Sequence, residues 1–90
     1  MRVLGEAVLA RFAAKHPGAR APLRRFLEIA RNAEWHHYPA VKDTFRATDT
    51  GKKTGRLIFD IGGNKYRLIA SVDFAEQLLV IEQVLTHEDY

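Results

Sequence analysis

The sequence predicts an α+β domain in which two N-terminal helices pack on a small, mainly antiparallel β-sheet. Three observations support this fold class. Apolar residues recur at helical spacing in the first third of the chain, apolar and polar residues alternate in the last third, and a Gly-Gly-Asn turn at 62–64 divides the alternating part. Because 90 residues supply one hydrophobic core at most, we expect a single domain over residues 1–90.

Two helices are predicted before residue 35, preceded by a short strand at Arg2–Leu4. The first helix ends at the His-Pro-Gly sequence of residues 16–18, since proline disfavours helix in the residue before it. The second is predicted to begin near Pro22, because proline is tolerated in a first helical turn. The apolar stripes are Leu4, Val8, Leu9, Phe12 and Ala13 in the first helix, and Leu23, Phe26, Leu27 and Ala30 in the second.

Residues 35–54 are predicted to form a loosely structured loop, because the apolar periodicity is lost there. One short ordered piece is expected at residues 41–45. The segment is basic, with Lys42, Arg46, Lys52 and Lys53. A loop of this length in so small a domain is usually functional.

An antiparallel meander of three strands follows this segment. Turns are predicted at residues 62–64, where glycine and asparagine accept positive φ, and around Glu76 and Gln77. The third strand is predicted to span residues 78–85. Leu57, Phe59 and Ile61 point one way in the first strand, and Tyr66, Leu68, Ala70, Val72 and Phe74 share a face of the second, while Ile81 and Val84 lie inside the third run.

The composition excludes several classes of protein. The chain has no cysteine, which rules out disulfides and thiolate zinc sites. It has no long apolar run, and its start lacks the layout of a signal peptide, so we expect a cytoplasmic protein that is neither secreted nor membrane-spanning. A content of 47% hydrophobic and 28% charged residues is not that of a disordered tail.

The charge is distributed unevenly along the chain. Residues 1–56 contain twelve Lys and Arg against five Asp and Glu, whereas residues 57–90 contain two against six. A basic surface attracts nucleic acid phosphates or an acidic protein partner, and charges scattered over solvated faces give the same count. The composition leaves these three interpretations open.

Two polar side chains stand out near the sheet. Arg67 lies on the face opposite Tyr66 and Leu68 in an otherwise apolar strand, where an arginine needs an anion or a carboxylate. The structural alternative is a salt bridge to Asp73, Asp60 or Glu82. His87 and Tyr90 follow the last strand and can be presented to a ligand, although a histidine near a chain end is commonly just solvated.

Neither a metal nor a nucleotide cofactor is predicted. His36 and His37 are adjacent, so both rings cannot easily turn to one ion, and no carboxylate or cysteine cluster accompanies them or His16 at ligand spacing. If the basic surface binds nucleic acid, His36 and His37 are expected to lie beside it, and otherwise in solvent. The glycines at 62 and 63 have no following helix to form a phosphate-binding loop.

The segments FDIGGNKYRLIASVDF (59–74) and VIEQVLTHEDY (80–90) resemble the HigB-type toxins of bacterial toxin–antitoxin modules, within the RelE-like superfamily. Trp35 and Phe45 match the family more loosely, and the family usually continues with an aspartate after the final tyrosine. The residues that match its G-N-x-Y-R-L-I motif are Gly63, Asn64, Tyr66, Arg67, Leu68 and Ile69, and those that match its T-H-x-x-Y-D motif are Thr86, His87 and Tyr90.

The resemblance implies a RelE-like fold and an endoribonuclease, an mRNA interferase that cuts message on the translating ribosome without a metal or other cofactor. It also implies neutralisation by a cognate antitoxin, HigA-like and of the helix-turn-helix type. The alternative is a non-catalytic RNA- or protein-binding module of the same fold.

Roles for single residues follow from the same resemblance. Arg67 would stabilise the charge of the reacting phosphate, His87 would transfer a proton, and Tyr90 would stack on a base or orient the phosphate. Lys65, at the hairpin, would supply a second cation. The side chains that would dock on ribosomal RNA are Lys42, Arg46, Lys52, Lys53 and Arg56.

Overall fold

The computed structural model of the chain describes residues 1–50 and 55–88. The strands are β1 (Arg2–Leu4), β2 (Asp49–Thr50), β3 (Leu57–Ile61), β4 (Tyr66–Asp73) and β5 (Leu78–Thr86), and the helices are α1 (Glu6–Lys15), α2 (Arg20–Asn32) and α3 (Tyr38–Thr44). The predicted α+β class, with its two N-terminal helices and short first strand, is confirmed. No described helix is long and apolar enough to cross a membrane.

The five strands form one sheet in the order β1-β5-β4-β3-β2. Strand β1 runs parallel to β5, and every other neighbouring pair is antiparallel. The β3–β4 and β4–β5 connections are the two turns that the sequence predicted. The consequence for function is that the β3–β4 turn and the C-terminal end of β5 lie at the same end of the sheet.

One face of the sheet packs against the helices. Leu57, Phe59, Leu68 and Leu79 are at most 1% exposed, and they form one core with residues of α1 and α2 such as Phe26. Because side chains alternate along a strand, Asp60 and Arg67 are directed to the opposite face. The apolar alternation of β3 and β4 therefore leaves these two charged residues on the sheet surface away from α1 and α2.

A β-bulge in β5 explains a spacing that simple alternation does not. Ile81 and Val84 are both buried, yet residues three apart in a regular strand face opposite sides. Ile69 pairs with Gln83 and Ala70 pairs with Ile81, so Glu82 is the extra residue in β5. After the bulge, the register places Leu85 beside Arg67 and Thr86 beside Tyr66.

Helix α2 begins at Arg20, two residues earlier than predicted. A short 3₁₀ turn, Pro17–Ala19, leads directly into it, so the His-Pro-Gly sequence ends α1 without opening a loop. Pro22 falls in the first turn of α2. It is accommodated there because the N–H groups of a first helical turn have no partner within the helix.

Residues 35–50 are more ordered than the sequence pattern predicted. Helix α3 covers the expected ordered piece, and its N-cap is His37, whose Nδ1 accepts from the Ala40 N–H at 3.2 Å. Trp35 is 2% exposed, and its indole N–H donates to the Thr44 hydroxyl at 3.0 Å. Phe45 joins the aromatic core, with its ring centroid 5.2 Å from that of Phe26. This segment is therefore anchored by side chains that pack on distant parts of the chain.

Candidate functional site

The β3–β4 turn forms one side of the candidate site. Gly62, Gly63 and Asn64 have φ values of 64°, 63° and 81°, which are left-handed conformations that glycine and asparagine adopt most readily. The turn ends at Lys65, which is exposed, and Tyr66 then pairs with Ile61 as β4 begins. The Gly-Gly-Asn sequence thus determines where Lys65 is presented and where Arg67 enters the sheet.

Arg67 is held by two side-chain acceptors, one on the neighbouring strand β3 and one on the β3–β4 turn. It lies opposite Asp60 in the β3–β4 ladder, and its Nη1 is 2.7 Å from Asp60 Oδ1. The same Nη1 donates to Asn64 Oδ1 at 2.7 Å. The side chains of Arg67 and Asp60 are 15% and 26% exposed, so this ion pair is partly removed from water. Of the three carboxylates considered as structural partners from the sequence, Asp60 is the one that lies within ion-pair distance in this ladder.

The C-terminal end of β5 is joined to the turn. The His87 backbone N–H donates to the Lys65 carbonyl at 2.9 Å, and the His87 side chain is exposed. An open pocket of about 300 Å³ lies at this junction, lined by Lys65, Tyr66, Thr86, His87 and Glu88. The two sequence motifs, which 16 residues separate in the chain, therefore meet at one end of the sheet.

The wall of this pocket continues into an aromatic cluster. The Tyr66 ring lies 5.5 Å from that of Phe12 in an edge-to-face arrangement, and Phe12 stacks on His16 at 4.3 Å. Because Tyr66 and Arg67 are successive residues of one strand, their side chains leave opposite faces of the sheet. The pocket that Lys65 and His87 share is lined by Tyr66, whereas the Arg67 guanidinium is turned toward Asp60 and Asn64.

The predicted RNA-docking residues are spread more widely. Lys42 lies on α3 and Arg46 just after it, and both are exposed. Arg56 precedes β3 and forms an ion pair with Glu82, and this hydrogen bond raises the pKa of Arg56 above its ordinary value. Since β3 has five residues, Arg56 lies roughly 20 Å along the strand from the first residue of the turn. Lys52, Lys53 and Tyr90 lie outside the described residues.

The histidines in the first half of the chain have local partners. His36 Nε2 is 3.3 Å from Glu34 Oε1, and His37 caps α3. Within residues 1–50 and 55–88, no three His, Cys, Asp or Glu side chains group as metal ligands.

Sequence reasoning missed three parts of this site. It gave no role to the Asn64 side chain, to Glu88, or to the contact of His16 and Phe12 with Tyr66. The spacing of Asn64 and Arg67 across a turn was a usable signal, because a residue at the end of a tight turn can reach back to the strand that follows. The aromatic cluster had no such signal, since His16 and Tyr66 are 50 residues apart.

Comparison with known proteins identifies the family. A family model described as "HigB_toxin, RelE-like toxic component of a toxin-antitoxin system" matches residues 19–90. The "mRNA interferase toxin HigB" of Escherichia coli (strain K12) is 35% identical over 52 residues, which are 57% of this chain and 50% of that protein. The "mRNA interferase HigB" of Shigella flexneri shows the same identity and coverage. This chain spans about half the length of these curated relatives.

The family match includes both halves of the site, the turn with Lys65 and Arg67 and the strand end with His87. It begins within the short turn that precedes α2 and covers most of the chain. The chain therefore belongs to the HigB family, the RelE-like toxic components of toxin–antitoxin systems.

Proposed function

We propose that this chain is an endoribonuclease, an mRNA interferase that cleaves message on the translating ribosome by metal-independent acid–base chemistry. One observation carries the proposal: the hydrogen bond from the His87 N–H to the Lys65 carbonyl joins the two family motifs at one pocket. A proton-transferring side chain and a cation thus share a surface that is open to a large substrate. The two similar proteins named above are called mRNA interferases, which supports the same substrate class.

The proposed reaction is attack of a ribose 2′-hydroxyl on the adjacent phosphate. The 2′ oxygen forms a bond to phosphorus, the 5′ oxygen of the next nucleotide leaves, and one proton moves from the first oxygen to the second. Such a reaction needs a base, an acid and fixed positive charge for the crowded phosphorane. A site with these groups needs no metal ion, because the attacking oxygen comes from the RNA itself and side chains transfer its proton.

Each site residue has a role in this proposal. His87 gives or takes the proton, because an imidazole ring can both donate and accept one and this side chain is exposed at the pocket. Lys65 is the cation at the pocket, and the Arg67 guanidinium, which is turned toward Asp60 and Asn64 beside the turn, would stabilise phosphate charge. Tyr90 would stack on a base or orient the phosphate, a role that rests on the resemblance alone.

Dependence on the ribosome is part of the proposal because the site is sparse. Holding the message in a reactive conformation lowers the barrier substantially, and the ribosome can supply that orientation. The basic side chains of Lys42, Arg46, Lys52, Lys53 and Arg56 would dock on ribosomal RNA. Lys42 and Arg46 are expected to contribute more than Arg56, whose charge is already opposed by Glu82.

The proposed partner that silences the chain is a cognate antitoxin, HigA-like and of the helix-turn-helix type. Membership of a toxin–antitoxin family supports such a partner. An antitoxin with an acidic surface would compete with RNA for the basic residues of α3 and the segment after it.

A second candidate is a non-catalytic RNA- or protein-binding module of the same fold. The ion pair between Arg67 and Asp60 favours it, because a protein carboxylate already opposes the charge that catalysis would use. The exposed His87 at the pocket favours the ribonuclease. An assay of message cleavage distinguishes the two candidates, because only the ribonuclease cuts message.

The test is primer extension on a message in a translating extract. Wild type is compared with Arg67→Ala and His87→Ala at equal folded concentration, and the control is Arg11→Ala, which removes an exposed positive charge on α1. We expect cleavage by wild type and the control, and a loss of about a hundredfold or more in each site variant. Well-folded wild type that leaves the message intact would favour the binding module.

A further inference from the structure

We infer that Asp60 is a positioning residue that fixes the Arg67 guanidinium for RNA cleavage and, by its charge, weakens the binding of uncleaved RNA. The inference rests on the proposed function, because it concerns how Arg67 meets a phosphate. It goes beyond that function because it gives Asp60 two opposite effects. Its charge lowers the affinity for RNA, and its contact with Arg67 raises the rate at which bound RNA is cleaved.

Asp60 is held in place because its strand, β3, is paired with β4. Asp60 and Arg67 are directly opposite in the antiparallel β3–β4 pair, and Arg67 also lies between β3 and β5, with Leu85 as its partner on the other side. Their charged atoms are 2.7 Å apart, and both side chains are largely shielded from solvent. Because both residues of this ion pair lie in paired strands, one pair away from the turn, their side chains lose little additional freedom when the pair holds a ligand.

The turn supplies a second constraint on the same nitrogen. Asn64 Oδ1 accepts from Arg67 Nη1 at 2.7 Å, so Nη1 has one acceptor from the strand and one from the turn. Two acceptors in different directions define the plane of a guanidinium, which a single ion pair does not. Asn64 holds this position with a φ of 81°, so the turn that presents Lys65 also orients Arg67.

The two acceptors differ in charge, and this difference separates their effects. Asp60 places a negative charge beside the cation that an RNA phosphate approaches, so it opposes phosphate binding while it orients the guanidinium. Asn64 orients the guanidinium without a net charge. Removing Asp60 should therefore tighten RNA binding and slow cleavage, whereas removing the Asn64 side chain should slow cleavage and leave affinity nearly unchanged.

The experiment measures affinity and rate separately. Binding of a fluorescein-labelled single-stranded RNA is measured from low to physiological salt, and the rate constant is measured at saturating protein on ribosome-bound message. For Asp60→Asn we expect a Kd that is several-fold lower, and a salt dependence of log K steeper by about 0.7, the value for one additional phosphate contact on a single strand. The saturated cleavage rate should fall by about a hundredfold, as for a misplacement of about 1 Å.

Two further variants define the mechanism. Asn64→Gly keeps the turn, since glycine accepts a φ of 81°, and should lower the saturated rate by about tenfold without a change in Kd. It also keeps the inference testable if Asp60→Asn folds poorly. Glu76→Gln is the control for charge, because it removes one negative charge at the β4–β5 turn, the opposite end of the sheet from the site.

Each outcome decides between the inference and the function it rests on. If wild type cleaves and Asp60→Asn matches it in both Kd and rate, the inference is wrong and the proposed function stands. If Asp60→Asn lowers the rate to the same extent in wild type and in Arg67→Ala, Asp60 does not act through Arg67 and the inference is again wrong. If wild type does not cleave message at all, the proposed function fails, and the inference fails with it.

Discussion

Replacement of Phe45 by alanine should destabilise the fold by about 3 kcal/mol. The ring lies 5.2 Å from Phe26, 5.4 Å from Phe59 and 5.9 Å from Trp35, so it connects the segment after α3 to both α2 and β3. Truncating a buried phenylalanine costs about 3–5 kcal/mol, and the partial exposure of Phe45 places the expected value at the lower end. For a domain of this size, that change corresponds to a fall in Tm of about 15 °C.

Urea unfolding provides the assay, followed by far-UV circular dichroism and by the fluorescence of Trp35, the single tryptophan of the chain. Trp35 is 2% exposed and contacts Phe45, so its emission should shift to longer wavelength in the variant before global unfolding. Lys42→Ala is the control in the same segment, because Lys42 is exposed on α3 and should change stability by less than about 0.5 kcal/mol. A loss below about 1 kcal/mol for Phe45→Ala, with unchanged emission, would refute the view that residues 35–50 are anchored in the core.

Two further predictions concern single contacts and use the same unfolding assay. Gly5→Ala should destabilise by about 2–4 kcal/mol, because Gly5 has a φ of 96° and an added Cβ would lie 2.5 Å from the Ile81 carbonyl oxygen; a variant as stable as wild type would contradict the close approach of this residue to β5. Thr44→Val should cost about 1–2 kcal/mol, because it removes the acceptor 3.0 Å from the buried Trp35 indole N–H. Thr44→Ser, which keeps the hydroxyl, is the control for that substitution, and an equal loss in both variants would mean that the hydrogen bond is not the cause.

Most of the fold could be predicted because its signals are local. The Gly-Gly-Asn turn fixes a positive-φ connection, and the alternation on either side of it predicts which faces of β3 and β4 are buried. The stripe that contains Leu23 and Phe26 predicts the buried face of α2 in the same way. Each of these inferences needs only residues that are close together in the sequence.

The remaining features depend on contacts between distant residues. The order of residues 35–50 arises from Trp35 and Phe45 packing on β3 and α2, and nothing in the local periodicity of that segment reports this packing. The sequence offered three carboxylates as partners for Arg67, and only the register of β3 against β4 selects Asp60. The bulge at Glu82, which sets the faces of the residues near His87, likewise appears only when β5 is paired with β4.

The chemistry of the RNA ends that wild type produces shows whether a ribose hydroxyl attacks the phosphate. A defined message in a translating extract is incubated with the purified chain, and the new ends are mapped and tested for phosphate. Attack by the 2′-hydroxyl predicts a 2′,3′-cyclic phosphate on the upstream fragment and a 5′-hydroxyl on the downstream one, both reduced by about a hundredfold or more with His87→Ala. Intact message, or fragments with a 3′-hydroxyl and a 5′-phosphate, would contradict the proposal that this chain cleaves RNA with the groups at the β3–β4 turn and the end of β5.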